Sequence, residues 1–367
     1  MNPMCRLIFS RMAHFCNPPL PQPPGMKVLT WLAASAILAL PMMLSLMTLI
    51  RLFRPFLPIL LICTSCLPLP GADFGGTPAT PLEAAIVRND LRAIASLLQS
   101  GADPNFSEEG GLSPLQLAAH LDRLGPLALL LRRGADIHGG DKRKRTALHR
   151  AAAQGKAMAC AFLLSRGADV NARDAVLNTP LHLALQHEGN EATIRILASF
   201  KADLNIKGFE GRAPLHWAGE FHRRDLAGIL IRLGANPNAT DFLGRTPLHV
   251  AAEFLDRKTT QVLLERGGNP QARTQAGLAP LHIAAAMNDD WIANLLLKHG
   301  ASVQVTDSNG WTPLHEAAAW GSASSAAVLM AAGADPHLPN GDHESAIDLA
   351  RRFTHQECLR TLSAGKK

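Results

Sequence analysis

The sequence predicts an all-α solenoid, built as a stack of helix–turn–helix units with short β-hairpin tips between them. Three observations support this fold class. A seven-residue motif recurs at a fixed interval, a glycine motif follows it at a constant distance, and paired leucines lie between the two. A fixed period of this length is typical of a repeat protein, in which each unit buries its apolar face only against its neighbours.

The seven-residue motif is clearest where it reads Thr-Pro-Leu-His-Val-Ala-Ala, starting at Thr246. Its copies start 33 residues apart, with one step of 34, near residues 80, 113, 146, 179, 213, 246, 279, 312 and 345. Thr or Ser caps the first helix of most units, and Pro suits the first helical position because its missing amide had no partner there. Ala213 and Ala279 lack the capping hydroxyl, which should cost each helix about 1 kcal/mol.

The second helix carries a Leu pair in several units, as at Leu97-Leu98 and Leu263-Leu264, and in most units a glycine follows 21 residues after the motif start, as at Gly101. Glycine there predicts a left-handed turn that ends the helix. Lys201 replaces this glycine in the 34-residue unit, whose extra residue we expect between the two helices, around residues 186–190. A bend or a soft joint is therefore expected between units four and five.

Nine such copies in register resemble the ankyrin repeat, and the resemblance covers residues 79–363. It implies a non-enzymatic module that binds a protein partner, with the last repeat closing the array by a polar outer face. The chain then divides into a leader (residues 1–66), a Pro- and Gly-rich tether (67–78) and the repeat domain (79–363).

A histidine recurs at the fourth position of the motif. The six are His149, His182, His216, His249, His282 and His315. Neighbouring helices pack about 8–10 Å apart, whereas zinc lies about 2.0–2.1 Å from its nitrogen ligands, so adjacent histidines cannot share an ion. We expect no metal site, and the resemblance implies that each histidine hydrogen-bonds the backbone of the adjoining hairpin.

Motifs and charge argue against several function classes. The sequence has no glycine-rich phosphate loop, no Ser–His–Asp pattern and no paired-carboxylate motif, so we expect neither catalysis nor a cofactor. Residues 1–78 carry five basic residues against one acidic residue, which is +4 of the net charge of +6. The repeats are thus nearly neutral, and no nucleic-acid partner is expected.

The candidate binding site is a stripe of large apolar residues eight positions after each motif start. In the last five repeats these are Phe221, Phe254, Met287, Trp320 and Phe353. The resemblance implies that this position faces the concave surface where partners bind. The tips add rim candidates, which are Phe209, Phe242, Arg212, Arg245 and Trp311. Such a stripe would exceed the roughly 300–600 Å² of apolar patch that a soluble monomer exposes, and aromatic and Arg residues are enriched at binding hot spots.

Three interpretations of the stripe remain open. It binds an unidentified protein partner, it pairs with a second copy in a structural or self-associating element, or its side chains cover one another and close the inner surface. We favour the first, with a monomeric repeat domain. The leader also fits the exported, effector-type ankyrin proteins of bacteria.

The leader predicts a membrane destination by either of two routes. Residues 28–50 carry no charge and are long enough to span a bilayer as an uncleaved anchor of undetermined orientation. Alternatively the chain starts at an internal methionine, and residues 56–62 are the apolar part of a signal peptide. The segment Cys63-Thr64-Ser65-Cys66 then resembles a bacterial lipoprotein box with Cys66 as the acylated residue, although such boxes usually have Leu where Cys63 stands. Either route predicts a membrane-associated or exported protein, in the cell envelope if the source is bacterial.

Overall fold

The computed structural model of the protein describes residues 80–107, 111–186 and 189–364. In these residues eighteen α-helices follow one another as nine helix–turn–helix pairs, numbered here as units one to nine. Their bounds are α1 Pro81–Arg88, α2 Leu91–Gln99, α3 Pro114–His120, α4 Leu124–Arg132, α5 Ala147–Ala153, α6 Ala157–Ser165, α7 Pro180–Ala184, α8 Glu191–Ser199, α9 Pro214–Glu220, α10 Arg224–Arg232, α11 Pro247–Glu253, α12 Arg257–Glu265, α13 Pro280–Ala286, α14 Asp290–Lys298, α15 Pro313–Trp320, α16 Ala323–Ala331, α17 Ala346–Arg352 and α18 Gln356–Ala364.

The predicted all-α class is confirmed. A short 3₁₀-helix, Phe209–Gly211, precedes unit five. None of the helices just named is long and apolar enough to cross a membrane. The predicted leader and tether, with the candidate lipidation site Cys66, lie outside the described residues.

The core lies between the helices of neighbouring units. Small residues of the first helices, such as Ala251 and Ala252, are fully buried, and so are leucines of the second helices, such as Leu263 and Leu296. Alanine lets the first helices approach closely, and leucine fills the layer behind them. No unit could bury these side chains alone, so the units stabilise one another.

The tips between units are tight turns. In unit six, Asp241 N–H donates to the Arg245 carbonyl at 3.0 Å, and the equivalent bond recurs from unit three to unit nine. The Asp241 carboxylate also accepts the amides of Leu243 and Arg245. These turns close like hairpins, but no residue in the described ranges belongs to a β-strand.

Each motif histidine links its own helix start to the next tip. The N–H of Thr246 donates to His249 Nδ1 at 3.1 Å, and His249 Nε2–H donates to the Leu278 carbonyl at 3.0 Å. The other five histidines make the same two contacts, with Nε2–carbonyl distances of 2.9–3.2 Å. Because Nδ1 accepts, the ring is neutral with its proton on Nε2.

Burial keeps these rings neutral. Desolvation lowers the pKa of His182, His216, His249 and His282 to about 4, although the bonded carbonyls oppose it. Unit two has Gln116 at this position instead. Gln116 Oε1 accepts the Ser113 N–H at 3.2 Å, and Gln116 Nε2 donates to the Arg145 carbonyl at 2.9 Å. An uncharged amide therefore reproduces both contacts of the histidine.

The extra residue of the 34-residue unit lies between its helices, where the sequence predicts it. The second helix of unit four begins twelve residues after Thr179, whereas it begins eleven residues after the motif start in other units. Lys201, in the glycine position, adopts the left-handed conformation with φ 63°. At the next tip Phe209 N–H donates to the Asn178 side chain at 2.9 Å, where later tips use a carbonyl of the tip before them. The soft joint itself stays a prediction.

We expect stability to be lost as pH falls from about 6.5 to about 4. In that range the unfolded histidines bind protons that the folded ones, with lowered pKa values, do not. Each such histidine contributes a slope of about 1.36 kcal/mol per pH unit to the free energy of unfolding. His249→Gln should reduce the slope by the contribution of one histidine. It should keep the free energy of unfolding at pH 7 within about 1 kcal/mol of the wild type.

His249→Ala is the matched variant, since it leaves two buried backbone groups without partners and should cost about 2–5 kcal/mol at pH 7. Urea unfolding of the three proteins from pH 4 to pH 8 measures both effects. An unchanged slope in His249→Gln, or equal losses in the two variants, would contradict this role.

Candidate interaction face

We call the surface formed by the first helices and the tips, opposite the second helices, the inner face. The predicted apolar stripe lies on it, and all five of its members are half-buried. Phe221 and Phe353 pack against the core, and the Phe221 ring centroid is 5.7 Å from that of Trp217. Phe254, Met287 and Trp320 are outside the core cluster. The two end members of the stripe are therefore packing residues. Its three middle members, in units six to eight, form accessible apolar surface.

The tip residues predicted for the rim also divide. Phe209 and Trp311 are half-buried and pack against the core. Phe242 is 60% exposed, and its ring lies against Gly211 of the preceding tip, so closely that a Cβ on residue 211 would collide with it. Phe242 is thus the one of these three whose ring a partner can reach freely.

Arg212 and Arg245 do not lie at an exposed rim, where the sequence places them. They are 2% and 6% exposed. Arg245 Nε donates to Asp241 at 2.7 Å and its Nη1 to Glu253 at 3.2 Å, while Arg212 pairs with Glu220. Their guanidinium groups are used inside the protein, because a buried charge is tolerated only when it is paired.

This pairing follows a rule of position. The residue immediately before the motif start forms an ion pair with the residue seven positions after that start, as in Arg245–Glu253. Unit nine makes the same link with the charges reversed, between Glu344 and Arg352 at 2.8 Å. Each link ties a tip to the end of its first helix and so fixes the shape of the inner face.

The ion-pair cluster of units five and six has more acid than base. Glu210 lies 3.1 Å from Arg212 and 3.7 Å from Arg245, so that two guanidinium groups face four carboxylates in all. Burial raises the pKa of Glu220 and Glu253, against the opposing effect of the two arginines.

Unit eight holds an acidic residue that the stripe argument missed. Glu316 is only 7% exposed and accepts the Trp320 Nε1–H at 3.2 Å. Burial, together with the charge of Asp307, raises the pKa of Glu316 to about 7. A signal was available in the sequence, since Glu316 stands where units six and seven have Val250 and Ile283.

Comparison with known proteins identifies one family. Residues 82–174, 176–241, 223–307 and 248–340 match a family model described as ankyrin repeats in three copies. These matches together cover more than two thirds of the chain. A search of the curated proteins found no significant match.

Glu316→Gln should stabilise the protein at neutral and alkaline pH. The folded pKa of Glu316 is about 7 and its unfolded value is 4.5, so the wild type loses stability as pH rises between these values. Glutamine keeps the acceptor for Trp320 and removes the buried charge. The gain should be nil near pH 4 and grow to about 3 kcal/mol at most above pH 7. Urea unfolding at pH 4, 6 and 8 tests this, and a gain independent of pH would contradict it.

Proposed function

Because this chain belongs to the ankyrin-repeat family, we propose that it is a non-enzymatic scaffold that holds a protein partner on its inner face. Ankyrin repeats indicate a protein–protein interaction scaffold. We place the nine repeats in residues 79–363, and we assign the contact to Phe254, Met287 and Trp320, with Phe242 at the edge.

One observation carries this assignment. Phe254, Met287 and Trp320 occupy equivalent positions in three successive units, are half-buried, and do not belong to the core. Neighbouring first helices pack about 8–10 Å apart, so these side chains form one continuous apolar surface. Large apolar side chains clustered on a rigid surface are typical of binding hot spots. Phe221 is left out because its contact with Trp217 makes it a packing residue.

The triple variant Phe254→Ser, Met287→Ser, Trp320→Ser should lose partner capture while its helix content stays unchanged. Loss of a hot spot of 2 kcal/mol or more weakens binding by about 30-fold or more. The measurement is affinity capture from the source cell with the full chain as bait, followed by the affinity of each captured protein.

The matched control is the triple variant Met158→Ser, Phe200→Ser, Leu233→Ser. These three apolar side chains are exposed, and they lie on or just after second helices, away from the inner face. We expect the control to capture what the wild type captures. Equal capture by all three baits would refute the inner-face site, and a wild type that dimerises in light scattering through the same residues would favour self-association.

We further propose that residues 1–66 bring the chain to a membrane and that residues 67–78 act as a tether. The uncharged segment 28–50 and the box ending at Cys66 support this proposal. The full chain expressed in its source cell should appear in the membrane fraction. If Cys66 is acylated, Cys66→Ala removes the lipid mass. Recovery of the chain with an intact leader in the soluble fraction would contradict the proposal.

A further inference from the structure

Unit three shows how this backbone holds guanidinium groups on the inner face. Asp141, five residues before the motif start, pairs with Arg145 at 3.0 Å and with Arg150 at 2.7 Å. Arg145 is the residue just before the start, and Arg150 lies four residues after it. The tip and the first helix therefore bring these three positions together at one carboxylate.

Unit eight repeats the backbone of unit three. Asp307 N–H donates to the Trp311 carbonyl at 2.8 Å, as Asp141 N–H donates to the Arg145 carbonyl at 3.1 Å. Asp307 Oδ1 also accepts the Trp311 N–H at 2.7 Å, the counterpart of the 3.0 Å bond from Arg145 N–H to Asp141. Equivalent residues of the two units thus occupy equivalent places.

The side chains at those places differ in charge. Where unit three has Asp, Arg and Arg, unit eight has Asp307, Trp311 and Glu316. Asp307 Oδ2 accepts one hydrogen bond, from Asn309 at 3.3 Å, and Glu316 accepts one, from Trp320. Within residues 80–107, 111–186 and 189–364, no basic side chain forms an ion pair with either carboxylate. Unit eight thus places two carboxylates and an indole where unit three places one carboxylate and two guanidinium groups.

The surroundings suit a planar cation. Trp311 and Trp320 are half-buried, and the centroid of the Trp311 ring lies 6.2 Å from that of the His315 ring on the first helix. An indole face attracts a guanidinium group, and a buried carboxylate binds it strongly through charge-assisted hydrogen bonds. Glu316 is more than nine-tenths buried, and among the described residues no basic side chain serves as its counter-ion.

We propose that unit eight binds an arginine side chain of the partner, with Glu316 and Asp307 as its counter-ions and Trp311 and Trp320 beside its guanidinium plane. This inference rests on the proposed function, since it names the chemistry of the partner at one end of the accessible stripe. The partner segment would then place apolar side chains on Phe254 and Met287 and a basic one at unit eight.

The test uses Nα-acetyl-arginine amide as the probe and the full chain labelled with ¹⁵N. The indole N–H signals of Trp311 and Trp320 should shift on titration with this probe. They should not shift with Nα-acetyl-citrulline amide, which has the same shape without the charge. Glu316→Gln should bind the probe at least tenfold more weakly. An equal response to citrulline, or an unchanged affinity in Glu316→Gln, would overturn the proposal, and an equal response to Nα-acetyl-lysine amide would overturn the assignment to a guanidinium.

Two further variants have precedents in the chain itself. Asp307→Asn copies unit nine, where the Asn340 side chain accepts the two equivalent tip amides. This variant should also bind the probe more weakly. Trp311→Arg copies unit six, where Arg245 stands at this position and pairs with Asp241. The new guanidinium group should occupy the proposed cation site itself. The probe should then no longer shift the indole N–H signal of Trp320. A full response in Trp311→Arg would contradict the site.

The two proposals fail separately. If the serine triple variant loses its partner and the arginine probe does not bind the wild type, the inner-face binding site is supported and the arginine site is refuted. If the probe binds and capture survives the serine triple variant, the cation site exists but the stripe is not where the partner is held.

Discussion

The stack depends on one repeated contact, the neutral imidazole that joins the first helix to the next tip in six units. His249 accepts a backbone amide of its own unit and donates to a carbonyl of the following one, 29 residues along the chain. The contact is directional and buried, so it fixes both the start of the first helix and the distance to the next unit. Gln116 can replace the ring because only an acceptor and a donor at this spacing are needed.

A backbone held in this way lets side chains vary without a change of shape. The positions before and within each first helix carry Asp, Arg and Arg in unit three, but Asp, Trp and Glu in unit eight, on turns with the same hydrogen bonds. Differences of charge between units are therefore differences of surface chemistry, and the inner face has its own character in each unit. Such variation on a constant frame is what allows repeat proteins to recognise partners by surface rather than by a motif.

The excess of acidic residues on the inner face makes the two ends of its apolar surface chemically different. In units five and six the carboxylates are balanced in part by Arg212 and Arg245, which close that end of the face. In unit eight no described basic side chain pairs with Glu316, which is buried beside Trp320. A segment that crosses Phe254 and Met287 would therefore meet carboxylates that are partly neutralised by arginines on one side and the carboxylates of the proposed cation site on the other.

The resemblance to the ankyrin repeat implied the role of the motif histidines. The sequence by itself determined the fold class, the starts of the helices and the place of the extra residue in unit four. These features depend on spacing along the chain, which periodicity reports directly. Only the tertiary structure decided that Arg212 and Arg245 are buried, that Phe221 packs against the core while Phe254 does not, and that Glu316 has no basic partner among the described residues. Each of these features depends on which side chains of a tip contact the side chains of the following first helix. The spacing of residues along the chain does not determine these contacts.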